Sequence, residues 1–292
     1  MKNIQINRVK SYGDWENSDT QDIKYIIIHD IKFELEKAID IFNDYGISSH
    51  FYIKSNGENH QLVPLSHSAY HAGPSEFSEN KSLNSMSIGI ETESKWDYQA
   101  SNEQISSLIS LITDLTNKYQ IQNVLSHAEI APYRLNDDGT IKPGKTDPGI
   151  NFPWKKLAEN GIGTYHNVEI KKSPKIIAKF NDESKLISEI QNNLYDYGYT
   201  LTPQHGKYDL KTAAVLNAFY LRYYPEWFYT NQEAIKTTII NEKSAQSDLT
   251  HLASVRITDQ WLLDNLDYLL SSNIDENTIL IMQDILNINK RA

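Results

Sequence analysis

The first half of the chain alternates β-branched runs with amphipathic segments, and this alternation restricts the fold more than any other feature. Strands are predicted at 24–29, 87–91 and 123–126, where short apolar runs are bounded by polar residues. Helices are predicted at 33–45, which ends at Gly46, and from Ser101, where Gln104 completes a capping box. Strands interleaved with helices in this way predict an α/β fold in which a mixed, mostly buried β-sheet is flanked by helices.

Two further local signals refine this sheet. The runs 50–54 and 58–63 flank a three-residue turn that contains an Asn-Gly pair, and such a pair between two runs predicts a β-hairpin. Gly89 lies inside the 87–91 strand, which indicates a point where another group approaches the backbone closely.

The pattern changes after Trp154, which indicates a second domain. We predict a first domain over 1–160, a linker over 161–180 and a smaller all-α domain over 181–292. The helices of the second domain are predicted from about 182 to Gly198, over 210–223 and over 261–270, and the polar segment 231–248 is predicted to be an exposed insertion.

Composition excludes several classes of function. The chain of 292 residues has 28 Lys and Arg against 38 Asp and Glu, a net charge of -10, so nucleic acid is excluded as a main partner. Cysteine is absent, so a metal site must be built from His, Asp or Glu. No apolar run approaches the roughly 20 residues of a membrane-spanning helix, and the first residues lack the apolar core of a signal peptide.

Two histidines stand at the ends of predicted buried strands. His29 follows three isoleucines, and His127 closes the 123–126 strand. A buried imidazole needs a partner, so each could be a core histidine bonded to the backbone, or the two could share a ligand. Asp147 lies in a turn-forming Lys-Thr-Asp-Pro-Gly loop that could present a carboxylate rigidly. Two histidines and one carboxylate with an open fourth position form a standard catalytic zinc set.

Seven short motifs then occur in an order that resembles a known family. They are Ile28-His29, Ser48-Ser49-His50-Phe51-Tyr52, Gln61-Leu62-Val63-Pro64, Tyr70-His71-Ala72-Gly73, Ser87-Ile88-Gly89-Ile90-Glu91, Ser126-His127-Ala128-Glu129-Ile130-Ala131-Pro132 and Lys145-Thr146-Asp147-Pro148-Gly149. Over about residues 20–160 the chain resembles the zinc-dependent N-acetylmuramoyl-L-alanine amidases of the amidase-2 family. The helical segment after residue 180 resembles a peptidoglycan-binding domain, and this two-part layout is similar to the AmiD branch of the family.

The resemblance implies a role for each matching residue. His29, His127 and Asp147 are expected to bind Zn²⁺, Glu91 to be the catalytic glutamate and Lys145 to stabilise the oxyanion. The substrate is expected to be peptidoglycan or a muropeptide, cut between N-acetylmuramic acid and L-alanine. Two alternatives stay open, namely a non-catalytic peptidoglycan recognition module and a zinc peptidase that cuts within the stem peptide.

Other assignments are less constrained by the motifs. Glu93 lies on the same strand face as Glu91 and is an alternative base, and Lys145 could be a solvated loop lysine. Substrate contacts are expected from His50, Tyr70 and His71, although the position of His50 in a strand favours a packing residue over a ligand and His71 could equally be a loop-packing histidine. The remaining histidines are expected at the surface, namely His60, His67, His166, His205 and His251.

Two departures from the family pattern bear on the site. Tyr70 stands where many members have tryptophan. His127 and Asp147 are 20 positions apart, which is a longer gap than in most members, and the extra stretch 135–144 is predicted to be a small hairpin because it contains a turn signal. Asp137 and Asp138 in that stretch are spare carboxylates, but only Asp147 has the context of the motif.

The helical domain affects the expected location. A wall-binding module favours the bacterial cell envelope or periplasm, whereas the missing signal peptide favours the cytoplasm as the alternative. The helical domain could also simply pack against the catalytic domain and stabilise it.

Overall fold

The computed structural model describes residues 5–6, 9–14, 23–94, 100–139, 141–230 and 273–289. These residues form two compact units. The first takes the described parts of 1–76, 80–130 and 147–163, and the second those of 77–79, 131–146 and 164–292. The last segment of the first unit ends at residue 163, and residues 77–79 and 131–146 of the predicted first domain belong to the second unit. In the described part of the chain, no helix has the length and apolar character needed to cross a membrane.

The first unit is built on a six-stranded mixed sheet with the strand order β1-β5-β4-β9-β3-β10. Its strands are β1 (Gln5–Ile6), β3 (Tyr25–Ile31), β4 (Phe51–Ile53), β5 (Asn59–Gln61), β9 (Ser87–Glu93) and β10 (Asn123–Ser126). Short strands outside this sheet are β2 (Tyr12–Gly13), β6 (Ser68–Ala69), β7 (Glu76–Phe77) and β8 (Asn80–Lys81). The α/β prediction, with a mixed sheet and flanking helices, is confirmed.

Strand β3 lies between β9 and β10 and runs parallel to both. Its three isoleucines, Ile26 to Ile28, have no exposed surface, as expected for a strand that is covered on both faces. The predicted hairpin is also present, since β4 pairs antiparallel with β5 and Gly57 in the turn has a φ of 84°.

Helices α1 (Leu35–Tyr45) and α2 (Asn102–Lys118) flank this sheet, and α3 (His127–Ile130) and α4 (Trp154–Glu159) complete the helices of the unit. Helix α1 ends at Gly46 in the left-handed conformation, as predicted. Phe33 and Tyr45, at the two ends of the predicted helix, are exposed. The helix begins at Leu35 instead of Phe33, and Leu35 takes the buried position.

The capping box predicted for α2 is half formed. The Ser101 hydroxyl accepts a hydrogen bond from the Gln104 backbone N–H, as the motif requires. The Gln104 side chain does not complete the box, because its amide donates to the carbonyls of Ile53 and Glu93. It thereby ties the start of the helix to strands β4 and β9.

The second unit has a helical C-terminal part, as predicted, and it also contains two small antiparallel sheets, of which the pairing of Ile176–Lys179 with Asn273–Asp275 departs from the predicted all-α domain. Its elements are β11 (Tyr133–Leu135), β12 (Ile141–Pro143), β13 (Ile176–Lys179), α5 (Lys185–Tyr197), α6 (Leu210–Tyr223), α7 (Glu226–Thr230), β14 (Asn273–Asp275) and α8 (Glu276–Asn289). Helix α6 has the predicted bounds, and α5 ends at Gly198 as predicted. The predicted helix 261–270 and insertion 231–248 lie outside the described residues.

Residues 164–180 do not form a free linker. His166 is buried, and its Nε2 donates to the Tyr223 carbonyl at 2.7 Å. Farther along, β13 pairs with β14. The prediction that His166 is a surface residue is therefore wrong, and the same holds for His60, which is buried in β5.

Candidate metal centre

The register of the central strands brings the predicted histidines to one edge of the sheet. In the parallel pair β3–β10, Ile28 lies opposite Ser126, so His29 and His127 follow at the same end of both strands. In the parallel pair β3–β9, His29 lies opposite Glu91. Because paired positions of neighbouring strands project to the same face, Glu91 shares the face of His29.

His29, His127 and Asp147 converge on one point. The Nδ1 atoms of the two histidines are 3.0 Å apart, and Asp147 Oδ2 lies 3.1 Å from each of them. Both histidines are buried, whereas the Asp147 side chain is 20% exposed. Three potential ligand atoms therefore form a nearly equilateral triangle with an opening toward solvent on the aspartate side.

The long stretch between His127 and Asp147 does not remove the aspartate from this cluster. Strands β11 and β12 pair as the predicted hairpin, and the Lys145 backbone N–H donates to the Ala131 carbonyl at its base. The Ala128 N–H donates to the Asp147 carbonyl at 3.1 Å. The extra residues thus form a closed hairpin, and the backbone of Asp147 is hydrogen-bonded to the start of α3.

Each histidine has a partner for its other ring nitrogen, and these partners fix the tautomers. His127 Nε2 faces the Ala72 carbonyl at 3.1 Å and must donate to it. His29 Nε2 lies 3.0 Å from His71 Nδ1, and His71 Nε2 lies 3.3 Å from the Ser87 hydroxyl. Since that hydroxyl donates to the Leu83 carbonyl, it accepts from His71, which in turn accepts from His29.

When both rings are neutral, this arrangement leaves both Nδ1 atoms without a proton. Two nitrogen lone pairs and a carboxylate oxygen then face one another at 3.0–3.1 Å, which is unfavourable unless a cation lies between them. Neutral imidazole and carboxylate are the donors that Zn²⁺ takes in catalytic sites with three protein ligands. Hydrogen bonds from the outer nitrogens to fixed acceptors are typical of such ligands. The residues present therefore fit a zinc ion.

The charges around the cluster support ionised ligands. Burial alone would raise the pKa of Asp147, but without a metal ion the positive charge and hydrogen bonds of protonated His127 and His29 outweigh burial and hold the pKa of this carboxyl well below its usual range. Burial lowers the pKa of His71 well below that of a free histidine, and the neighbouring histidines add to the effect. Both groups are thus in the protonation states that the metal site requires, with Asp147 charged and His71 neutral.

Glu91 and Glu93 differ in their positions relative to His29. Glu91 is buried and lies opposite both His29 and Tyr52 in the sheet. Glu93 accepts a hydrogen bond from the Ser55 backbone N–H at 3.0 Å and so fastens the β4–β5 turn. This difference favours Glu91 as the base, which stays a prediction.

Lys145 and the predicted substrate residues have varied positions. Lys145 lies two residues before Asp147 and is partly exposed, and its role stays a prediction. Tyr70 is 40% exposed, which is compatible with a substrate contact. His50 has no exposed surface, and His71 is buried behind His29. Both histidines pack inside the unit, and neither exposes to a substrate as much surface as Tyr70 does.

Gly89 is the close approach that the sequence predicted. A Cβ atom at this position would lie 2.5 to 2.8 Å from three atoms of the His71 ring. We expect Gly89→Ala to lower the free energy of unfolding by about 1–3 kcal/mol, because a buried ring must move. Gly13→Ala is the matched control, since its Cβ meets chiefly the exposed hydroxyl end of Tyr70, and it should change stability by less than about 0.5 kcal/mol. Urea unfolding measures both, and equal effects would contradict this reading.

His50 predicts a pH dependence of stability. Its Nδ1 accepts from the Gly89 N–H and its Nε2 donates to the His67 carbonyl, and burial lowers its pKa to about 4. In the unfolded chain His50 binds a proton near pH 6.5, whereas in the folded protein it binds one only near pH 4. Stability is therefore lost as the pH falls from about 6.5 to about 4. His50→Asn keeps an acceptor for Gly89 but does not titrate.

In metal-free protein, we subtract the free energy of unfolding of His50→Asn from that of wild type. We expect this difference to be about 2–3 kcal/mol lower at pH 4.5 than at pH 7.5. Urea titrations at the two pH values measure this difference, and titrations common to both proteins cancel. A difference that does not change with pH would show that His50 has the same pKa in the folded and the unfolded protein.

Comparison with known families gives a match over the residues of this cluster. Residues 19–150 match the model of the N-acetylmuramoyl-L-alanine amidase family, Amidase_2. This range begins before β3 and ends just after Asp147, so it includes both histidines, the aspartate and Glu91.

Individual relatives carry the same description. N-acetylmuramoyl-L-alanine amidase AmiD of Escherichia coli K12 is 34% identical over 165 residues, or 50% of this chain and 56% of the relative. Putative N-acetylmuramoyl-L-alanine amidase RC0497 of Rickettsia conorii is 26% identical over 203 residues, or 68% of this chain and 73% of the relative. The match to the E. coli protein thus spans little more than half of its length.

The solved structure of E. coli AmiD with the substrate anhydro-N-acetylmuramic acid-L-Ala-D-gamma-Glu-L-Lys has a similar fold. Its TM-score is 0.61 at 24% identity, and the match covers 93% of this chain and 91% of that one. At this identity the likeness shows the fold, and it extends past the residues that the family model matches.

Proposed function

Because residues 19–150 match the Amidase_2 family model, we propose that this protein is a zinc-dependent N-acetylmuramoyl-L-alanine amidase. It would hydrolyse the amide bond between the lactyl group of N-acetylmuramic acid and L-alanine in peptidoglycan or muropeptides. The observation that carries the proposal is the convergence of His29, His127 and Asp147, whose facing atoms lie 3.0–3.1 Å apart. The same three residues form the described group suited to a metal ion.

The proposed roles divide between the metal and the chain. His29 Nδ1, His127 Nδ1 and Asp147 Oδ2 would hold Zn²⁺, which when bound polarises a carbonyl and makes water a nucleophile near neutral pH. Glu91 would accept the proton of the attacking water and return it to the departing amine of L-alanine. Lys145 would place a positive charge near the oxygen of the scissile carbonyl, where negative charge develops.

A muropeptide digest tests the proposal. An anhydro-muropeptide with a defined stem peptide is incubated with zinc-loaded protein, with and without a chelator, and the products are identified by mass spectrometry. We expect the intact stem peptide beginning with L-alanine, and we expect the chelator to abolish its release. Cleavage within the stem peptide would indicate a peptidase, and zinc binding without any cleavage would indicate a recognition module.

We further propose that the second unit binds insoluble cell wall and that the protein acts in the bacterial envelope. The fold likeness to E. coli AmiD covers 93% of this chain and so supports the comparison beyond the catalytic residues. In a sedimentation assay, full-length Glu91→Gln protein should pellet with sacculi even when soluble muropeptide saturates the catalytic site. Loss of all retention under saturation would contradict wall binding by the second unit and favour a soluble substrate.

A further inference from the structure

One short segment supplies the outer acceptors for both proposed histidine ligands. His71 Nδ1 faces His29 Nε2 at 3.0 Å, and the next residue, Ala72, offers its carbonyl to His127 Nε2 at 3.1 Å. The tautomers of two ligands from separate strands therefore depend on the position of two consecutive residues. A displacement of this segment would affect both ligands together.

Asn84 holds this segment in place. Its side-chain Oδ1 accepts from the backbone N–H of His71 at 3.0 Å and from that of Ala72 at 2.7 Å. Asn84 lies in a 3₁₀ turn, Leu83–Met86, directly before β9. This turn is itself fixed, because the Lys24 N–H donates to the Met86 carbonyl and the Leu83 N–H to the Ser75 hydroxyl.

The same turn also ends the hydrogen-bond chain that begins at His29. The chain runs from His29 through His71 to the Ser87 hydroxyl, which donates to the Leu83 carbonyl. The turn thus fixes the backbone of the 71–72 segment through Asn84 and the tautomer of His71 through Ser87. Both effects act on the ring nitrogens that point away from the proposed zinc.

We propose that Asn84, His71 and Ala72 form an outer clamp that holds His29 and His127 in the tautomer and orientation needed to bind zinc. Asn84 and His71 are positioning residues in this proposal, since they act through the two ligands. The proposal rests on the metal centre of the proposed function. Its physical basis is that a histidine without an acceptor at Nε2 distributes its proton over both nitrogens and partly loses the lone pair at Nδ1.

Matched substitutions separate the clamp from simple packing. His71→Asn keeps an oxygen close to the position of Nδ1. Leucine has nearly the same shape as asparagine but no acceptor, so His71→Leu removes it. In the same way, Asn84→Asp keeps an oxygen for the two backbone N–H groups and Asn84→Leu removes it. His60→Asn is the control, since His60 is a buried histidine of the same unit whose Nε2 lies 3.1 Å from the Glu58 carboxylate.

The readout is the zinc dissociation constant at pH 7.5, measured by competition with a chromophoric chelator. We expect His71→Leu and Asn84→Leu to bind zinc about 10–100-fold more weakly than wild type. His71→Asn, Asn84→Asp and His60→Asn should stay within a few-fold. The visible spectrum of the Co²⁺-loaded protein should change in the two leucine variants and recover in the two conservative variants.

Folded leucine variants with wild-type zinc affinity would overturn the clamp, as would a wild-type protein that binds no zinc. If a leucine variant does not fold, the test rests on His71→Asn and Asn84→Asp. The clamp requires that both variants bind zinc and give the Co²⁺ spectrum of wild type, and weaker zinc binding or an altered spectrum in either would overturn it. Failure of the proposed function gives a different result, namely normal zinc binding without release of the stem peptide from a muropeptide.

Discussion

Replacing Glu91 with glutamine is expected to lower kcat by about 10²–10⁴-fold while one zinc ion remains bound per chain. Glu91 lies opposite His29 in the parallel pair β3–β9 and shares its face of the sheet, so it is placed to exchange a proton with water at the metal centre without being a ligand. Glutamine keeps the shape of the side chain but cannot accept the proton. The measurements are steady-state hydrolysis of a muropeptide and zinc content by elemental analysis.

Glu93→Gln is the matched control for this experiment. The Glu93 carboxylate accepts from the Ser55 N–H, so its loss should weaken the β4–β5 turn and leave kcat near the wild-type value. Glutamine keeps an oxygen that can accept from the Ser55 N–H, so the expected change in stability is at most about 1 kcal/mol, from a charge-assisted bond that becomes neutral. If Glu93→Gln lost activity and Glu91→Gln kept it, the base would be Glu93.

Removing a ligand should have the largest effect of all. We expect His127→Ala and Asp147→Ala to lose stoichiometric zinc and to reduce hydrolysis to the background rate, because two of the three facing atoms cannot satisfy the coordination of a catalytic zinc. The Asp147 carboxylate also carries the only negative charge among the three ligand atoms 3.0–3.1 Å apart. Zinc content and muropeptide hydrolysis are measured on the same preparations.

Asp137→Ala is the control for Asp147→Ala. Asp137 is exposed in the turn of the β11–β12 hairpin, and its loss should change neither zinc content nor activity. Retention of zinc by Asp147→Ala, together with loss in Asp137→Ala, would show that the hairpin supplies the carboxylate ligand.

The convergence of His29, His127 and Asp147 was predictable from the sequence because its signals are local. His29 and His127 each end a short apolar strand, and parallel neighbours end at the same edge of a sheet. The turn signal at 136–139 likewise identified the hairpin, where Gly139 has a φ of 81°. Each of these inferences needs only a few consecutive residues, so one sequence is enough to make them.

The outer shell was not predictable in this way. Asn84 acts through its contact with backbone 12 and 13 positions away, and the acceptor for His127 is the Ala72 carbonyl, which every residue type has. The burial of His60 and His166 has no local pattern either. Strands β13 and β14 pair across almost a hundred residues, so a period within a short window could not reveal them, and the second unit was expected to be all helical.

X-ray absorption spectroscopy of the zinc-loaded protein tests the central claim most directly. We predict one zinc ion bound by two imidazole nitrogens, with oxygen donors completing the site. All zinc–nitrogen and zinc–oxygen distances should be about 2.0–2.2 Å. The two-imidazole signal should fall to one in His127→Ala protein that is loaded at high zinc. A spectrum with fewer than two imidazoles in wild type, or one unchanged by His127→Ala, would contradict the proposed metal centre.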